Sequence, residues 1–256
     1  MIRLFSPMPR GQFFFLAAFG IACFFATWWV VAVVGSLPPA IFPPPALIVK
    51  QLHAGPPVSQ WCIDIGVSLL RIFAGFVIAA VIAVPTGILA GAFRRFDALT
   101  WPFIEAGRYV PVPALLPLCI LWLGIGEAQK VAVVFLGTFF QLAAATADTT
   151  RSAPSVLIDA ARTLGQSEWR VLRRVVVPYI APTVFDLLRI SLGWAWSYLV
   201  VAELVAAGKG IGYRILWAER YLQVGLVFVG IAALGCIAVV TDLLFRRIRV
   251  AVFRWL

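Results

Sequence analysis

Six long apolar runs divide this sequence, over residues 12–35, 66–92, 98–124, 130–148, 180–204 and 223–245. Each approaches or exceeds the roughly 20 residues a helix needs to cross a hydrocarbon core. In lipid the backbone must satisfy its own polar groups, and runs of this length do so as helices. The expected fold class is therefore all-α: a polytopic integral membrane protein of about six transmembrane helices, forming one transmembrane domain over residues 1–256. Charged residues are only 12% of the chain, about half the share usual for a soluble domain. The first run is read as a retained span, because its apolar core from Phe13 to Val34 is longer than a signal-peptide core. Trp28 and Trp29 suit an interface at its far end.

The basic residues set an orientation. Net charge is +10, yet the Lys and Arg side chains cluster between apolar runs instead of forming a nucleic-acid surface. With the N-terminus inside, Arg3, Arg10, Arg94, Arg95, Arg151, Arg162, Arg170, Arg173, Arg174, Arg246, Arg247, Arg249 and Arg254 fall on the cytoplasmic side. Only Lys50, Lys130, Lys209, Arg214 and Arg220 fall outside. The positive-inside rule then places both termini and the loop over 149–179 in the cytoplasm.

That loop holds the most distinctive pattern in the chain. Asp159-Ala160-Ala161 is followed at fixed intervals by Gly165, Val175 and Val177-Pro178. Asp159 and Arg162, three apart, can pair on one helical face. Two alanines let another surface approach the backbone. Gly165 suits a turn with positive φ that ends a short helix, and Ser167 suits the cap of a second. Pro178 fits a turn or the first turn of the next span. Such a helix-turn-helix joined to two spans is a lever; its plainer reading is an ordinary basic loop at the membrane surface.

Two spans are unusual. Gly75, Ala79, Ala83, Gly87 and Gly91 recur every four residues, a spacing that brings helices together backbone to backbone. The third span carries Pro111, Pro113 and Pro117 near its middle. Each proline removes a helix hydrogen bond, and irregular backbone at that depth is stable only against protein or a watery cavity. The span is expected to be broken, either beside a transport pathway or as a packing kink.

The loop resembles the cytoplasmic coupling loop of ABC importer permeases, whose pattern has Glu, Ile and Leu where this chain has Asp159, Val175 and Val177. Further stretches resemble the nitrate, sulfonate, taurine and bicarbonate branch of those permeases. These are Phe42-Pro-Pro-Pro45, Pro111-Val-Pro-Ala-Leu-Leu-Pro117, Trp122-Leu-Gly-Ile-Gly126-Glu-Ala-Gln-Lys130, and Leu188-Arg189-Ile-Ser-Leu-Gly193-Trp-Ala-Trp196 leading to Ala202-Glu203. The resemblance implies a type I ABC importer permease fold in a bacterial inner membrane. It also implies a second copy of the chain, two cytoplasmic ATPase subunits and an external substrate-binding protein that delivers a small anion. Asp159, Ala160, Ala161, Arg162, Gly165, Trp169 and Pro178 are the candidate ATPase contacts. ATP and Mg would belong to the ATPase; no cofactor or metal is expected on this chain, and no nucleic-acid partner.

Candidate pathway residues are Arg108, Pro111, Pro113, Arg189 and Glu203. Arg71, Arg108 and Arg189 are costly in lipid and must face protein or water. Their sign suits an anion, but Arg71 and Arg189 can equally be structural, paired with Glu105, Asp186 or Glu203. Gly208-Lys-Gly-Ile-Gly212 is read as an external turn, either a flexible loop or part of an outer rim; without a following Ser or Thr it is no phosphate-binding loop. Cys23, Cys62, Cys119 and Cys236 lack metal or redox spacing. The chain is thus read as a non-catalytic transport subunit. A permease for another small solute, and an ATPase-independent carrier or channel, are the alternatives.

Overall fold

The computed structural model describes residues 8–35 and 38–254, with the side chains of Arg10 and Ala206 excepted. Arg3 and residues 36–37 lie outside the described residues. Helices account for nearly all of the rest, and no strand occurs among the described residues. Five helices are long and apolar enough to cross a membrane, or six if one bent pair counts as a span.

Two compact units are present. The first comprises residues up to Pro56 together with Trp217–Val229. It contains α1 (Arg10–Val34) and α2 (Pro45–Ala54). Pro44 and Pro45 set the entry to α2, since proline preorganises the first helical turn. Trp28 of α1 stacks on Phe228 with ring centroids 5.3 Å apart, and Gly55 lets Leu226 approach.

The second unit covers Pro57–Leu216 and Gly230–Leu256. Here α3 (Val58–Ala92), α6 (Glu127–Arg151) and α9 (Val177–Ala206) form the centre. α3 begins well before the start expected near residue 66, because Trp61 and Asp64 are buried and continue its inward face. The small-residue stripe of α3 lies against α6. A Cβ on Gly91 would stand 2.5 Å from both the Ala147 carbonyl oxygen and Thr150 Cβ; one on Gly87 would meet Ala143 O and Thr146 Cβ at 2.5 and 2.6 Å. Ala79 and Ala83, earlier on the same stripe, are fully buried. Replacing Gly91 with leucine is expected to cost about 1–3 kcal/mol of overpacking and to lower the thermal midpoint of the purified protein. Gly66→Ala, where a Cβ meets nothing within 4 Å, should leave that midpoint unchanged.

The third apolar run is divided into α4 (Arg94–Tyr109) and α5 (Val112–Leu123), bent by 103° at Val110-Pro111. Pro111 has no N–H to continue α4, and it disfavours helical backbone at Val110, which is extended. Beyond it, Leu116 and Cys119 of α5 pack with Val133 of α6 and Ala202 of α9. α11 (Val224–Val252) adds Leu234, Ile237 and Ala238 to the cluster around Ile72, Phe76, Trp196 and Leu199.

Candidate functional site

The polar segment after α6 folds as α7 (Ser155–Thr163), a turn, and α8 (Glu168–Val171). Gly165 has φ +75°. The Gly165 N–H donates to Arg162 O at 2.9 Å and the Gln166 N–H to Ala161 O at 3.2 Å. This paired arrangement closes α7 and requires the left-handed residue that glycine supplies without strain. Arg162 crosses the turn: its Nε and Nη2 donate to the two oxygens of Glu168, each at 2.9 Å, and Nη1 reaches Asp159 Oδ1 at 3.3 Å. The Glu168 carboxylate raises the Arg162 guanidinium above its ordinary range, so the guanidinium remains charged.

Ser167 occupies the N-cap of α8, but its hydroxyl makes no capping bond. Its carbonyl instead accepts from the Arg170 and Val171 N–H groups. A further difference is continuity. α8 does not end before the next span but passes through a π-helical turn, Leu172–Val176, directly into α9. Pro178, in the first turn of α9, has no N–H for the carbonyl four residues back. The wider register just before it, with Val177 N–H donating to Leu172 O, carries the helix across that gap.

One face of this segment is anchored. Ala161, Val171, Leu172, Val176 and Ile180 are buried together against Val84, Ile88 and Phe93 of the α3 end. The opposite face is open and partly apolar: Val156, Leu164 and Trp169 are 75, 80 and 53% exposed. Asp159 and Ala160 are exposed beside them. The sequence-derived contact residues thus divide, with Ala161 facing inward and the rest facing out.

At the far end of the same unit lies an ion-pair cluster, of which the sequence reading offered only the Arg71–Glu203 pair as one alternative. Asp64, Ser68 and Arg71 follow one another at helical spacing on α3 and are all buried. Glu203 of α9 is 1% exposed. Its Oε1 accepts from Ser68 Oγ at 2.8 Å and Arg71 Nη1 at 2.7 Å, and its Oε2 from the Gly212 N–H at 2.8 Å. Arg71 also donates to both oxygens of Glu127 and to the Lys209 carbonyl. Asp64 accepts from the Gly210 N–H and from Arg214. The first N–H groups of α10 (Ile211–Arg220), which a helix cannot satisfy internally, are thereby bonded by side chains of α3 and α9. The Gly208–Gly212 stretch is a built turn: Gly210 has φ +118°, and a Cβ there would collide with Glu203 and Arg71. Helical spacing of Asp64, Ser68 and Arg71 was the available signal.

The other candidate pathway residues are separate from this cluster. Arg189 donates to Asp242 Oδ1 of α11 at 3.1 Å, with Asp186 Oδ1 4.0 Å from its Nε. Arg108, Pro111 and Pro113 come together at the α4–α5 break, on a cleft of about 370 Å³ that Gln141 of α6 and Tyr198 of α9 also line. No group of metal-ligating side chains occurs among the described residues.

Long apolar helices around a broken span, with a structured polar arm attached to the bundle, define a membrane transport permease. The chain belongs to the family of binding-protein-dependent transport system inner membrane components, whose model matches residues 83–254. It is 34% identical to the taurine transport system permease protein TauC of Escherichia coli (strain K12) over 241 residues, 92% of this chain and 87% of that protein. It is 31% identical to the putative aliphatic sulfonates transport permease protein SsuC of Bacillus subtilis (strain 168), covering 91% of this chain and 85% of that one. Among solved structures, the inward-facing methionine ABC transporter MetNI matches with a TM-score of 0.68 at 20% identity, over 75% of this chain and 96% of that chain. The fold is that of a type I ABC importer permease, a multi-pass inner-membrane subunit.

Proposed function

We propose that this chain forms the translocation pathway of an ATP-driven importer for a small anion, working as a pair of identical copies. Two cytoplasmic ATPase subunits, which bind ATP and Mg, engage the arm over 155–176, and an external binding protein delivers the substrate. Both termini and the arm then face the cytoplasm, in agreement with the distribution of arginines. The anion class rests on the sulfonate and taurine systems named among the relatives.

The observation that carries this reading is the two-sided arm. Its inner face is packed into the α3 and α9 ends, while its outer face exposes Val156, Leu164 and Trp169 beside Asp159. Apolar residues exposed on an otherwise polar segment are the mark of a protein interface. ATP binding closes the ATPases, moves the arm, and through α9 opens the pathway to the docked binding protein; hydrolysis resets it.

Native mass spectrometry on the chain purified from its own host tests the assembly. Two copies with two copies of a Walker-motif ATPase are expected. A complex of this chain alone that moves solute without any ATPase would replace the importer reading with a channel or carrier.

A further inference from the structure

The arginines in or near the spans differ in how far their guanidinium groups are already occupied. Arg71 is 5% exposed and its Nε, Nη1 and Nη2 all donate to protein oxygens. It holds the fold together, with four of its five N–H donors committed to protein oxygens. Arg189 sits between the Asp242 and Asp186 carboxylates. Arg108 is different. Its Nη2 donates to Glu105 Oε2 at 3.0 Å and to the Tyr109 hydroxyl at 3.3 Å, while Nε and Nη1 have no acceptor among the described residues. Its side chain is 29% exposed and lines the cleft at the α4–α5 break.

We propose that this cleft is an anion-binding station on the transport route, and that it takes an organic oxoanion, a sulfonate or carboxylate with an apolar body. The proposal rests on the importer reading above. The anionic end meets the free N–H groups of Arg108, since guanidinium donors match oxoanion acceptors. The remaining wall mixes the apolar side chains of Val110, Val112, Leu136 and Phe140 with the polar Gln141 and Tyr198. An inorganic oxoanion there would lose hydration against the apolar part of that wall, which returns nothing. An organic anion buries its apolar body on those same surfaces and recovers free energy. Arg108 is held in place by Glu105 and by the 103° bend that Pro111 imposes, which brings the end of α4 and the start of α5 to one cavity.

The test uses Val112→Cys in the purified permease assembly without the binding protein, so that the partner's own selectivity does not enter. Modification of the new thiol by a negatively charged thiosulfonate reagent is followed by peptide mass mapping, with 1-butanesulfonate or nitrate as the probe. Butanesulfonate is expected to slow modification at least fivefold and nitrate less than twofold. Adding Arg108→Gln should abolish that protection, whereas Arg108→Lys should retain part of it, which separates loss of charge from loss of fold. A thiol that does not react, a thiol that neither probe protects, or protection unchanged by Arg108→Gln overturns the site. Equal protection by nitrate overturns the organic class. The importer reading stands or falls separately, on whether an ATPase copurifies.

Discussion

Gly165→Val is expected to separate ATP hydrolysis from uptake. Gly165 has φ +75°, and a Cβ placed on it meets nothing within 4 Å, so the substitution introduces no clash. The penalty is conformational: a left-handed residue other than glycine costs about 1–2 kcal/mol, and more when β-branched. The α7 cap would open, and the pair of bonds from Gly165 and Gln166 back into α7 would be lost. Because α8 and α9 are one helix, the bundle itself should still form. In proteoliposomes containing the whole transporter, uptake is expected to fall at least tenfold while ATP hydrolysis continues. Gly165→Asn, whose side chain tolerates left-handed backbone, should retain most uptake. Wild-type uptake by the valine variant would mean that the arm does not transmit the motion.

Glu203→Leu is expected to be the most destabilising single change in the second unit. Glu203 accepts from Ser68, Arg71 and Gly212 while almost wholly buried. Removing one partner of a buried pair leaves the other charge unpaired, at a cost of about 3–5 kcal/mol. The thermal midpoint should fall on the order of 10 °C, judged by the response of domains this size. Glu203→Gln keeps one acceptor oxygen, which can serve either Ser68 and Arg71 or the Gly212 N–H, and should lose less. If the leucine variant unfolded at the wild-type temperature, the cluster would be well hydrated and Arg71 would not depend on it.

Much of this architecture could be read from residue spacing alone. Glycine and alanine every fourth residue announced a close helix contact, although not that α6 would be the partner. Three prolines within seven residues, 111–117, of the third apolar run announced a break, and the turn at Gly165 followed from its place after a short helical pattern. An Arg71–Glu203 pair was among the alternatives the sequence offered, but the rest of the cluster was not legible, because the α3 residues meet partners 56 to 150 positions away only after the helices pack. Asp64 falls before the apolar run expected to start near residue 66, yet α3 already includes it. The π turn before Pro178 was also missed. A proline signals a missing donor, but whether the helix kinks, ends or widens depends on what packs around it, and here Leu172 and Val176 are held in the core.

The unbroken course from α8 through α9 has a kinetic consequence. Thirty-five residue steps separate Glu168 from Glu203, about 50 Å at 1.5 Å per residue. A rotation of a few degrees at one tip therefore sweeps the other through several ångströms. The places that can bend, the π turn at Leu172–Val176 and the prolines Pro178 and Pro182, all lie near the arm, and beyond Pro182 no proline or π turn interrupts the helix. Signal and response then share a single barrier. Displacement of the arm and release of the α10 turn should appear as one relaxation, with no populated state in which the first has happened and the second has not.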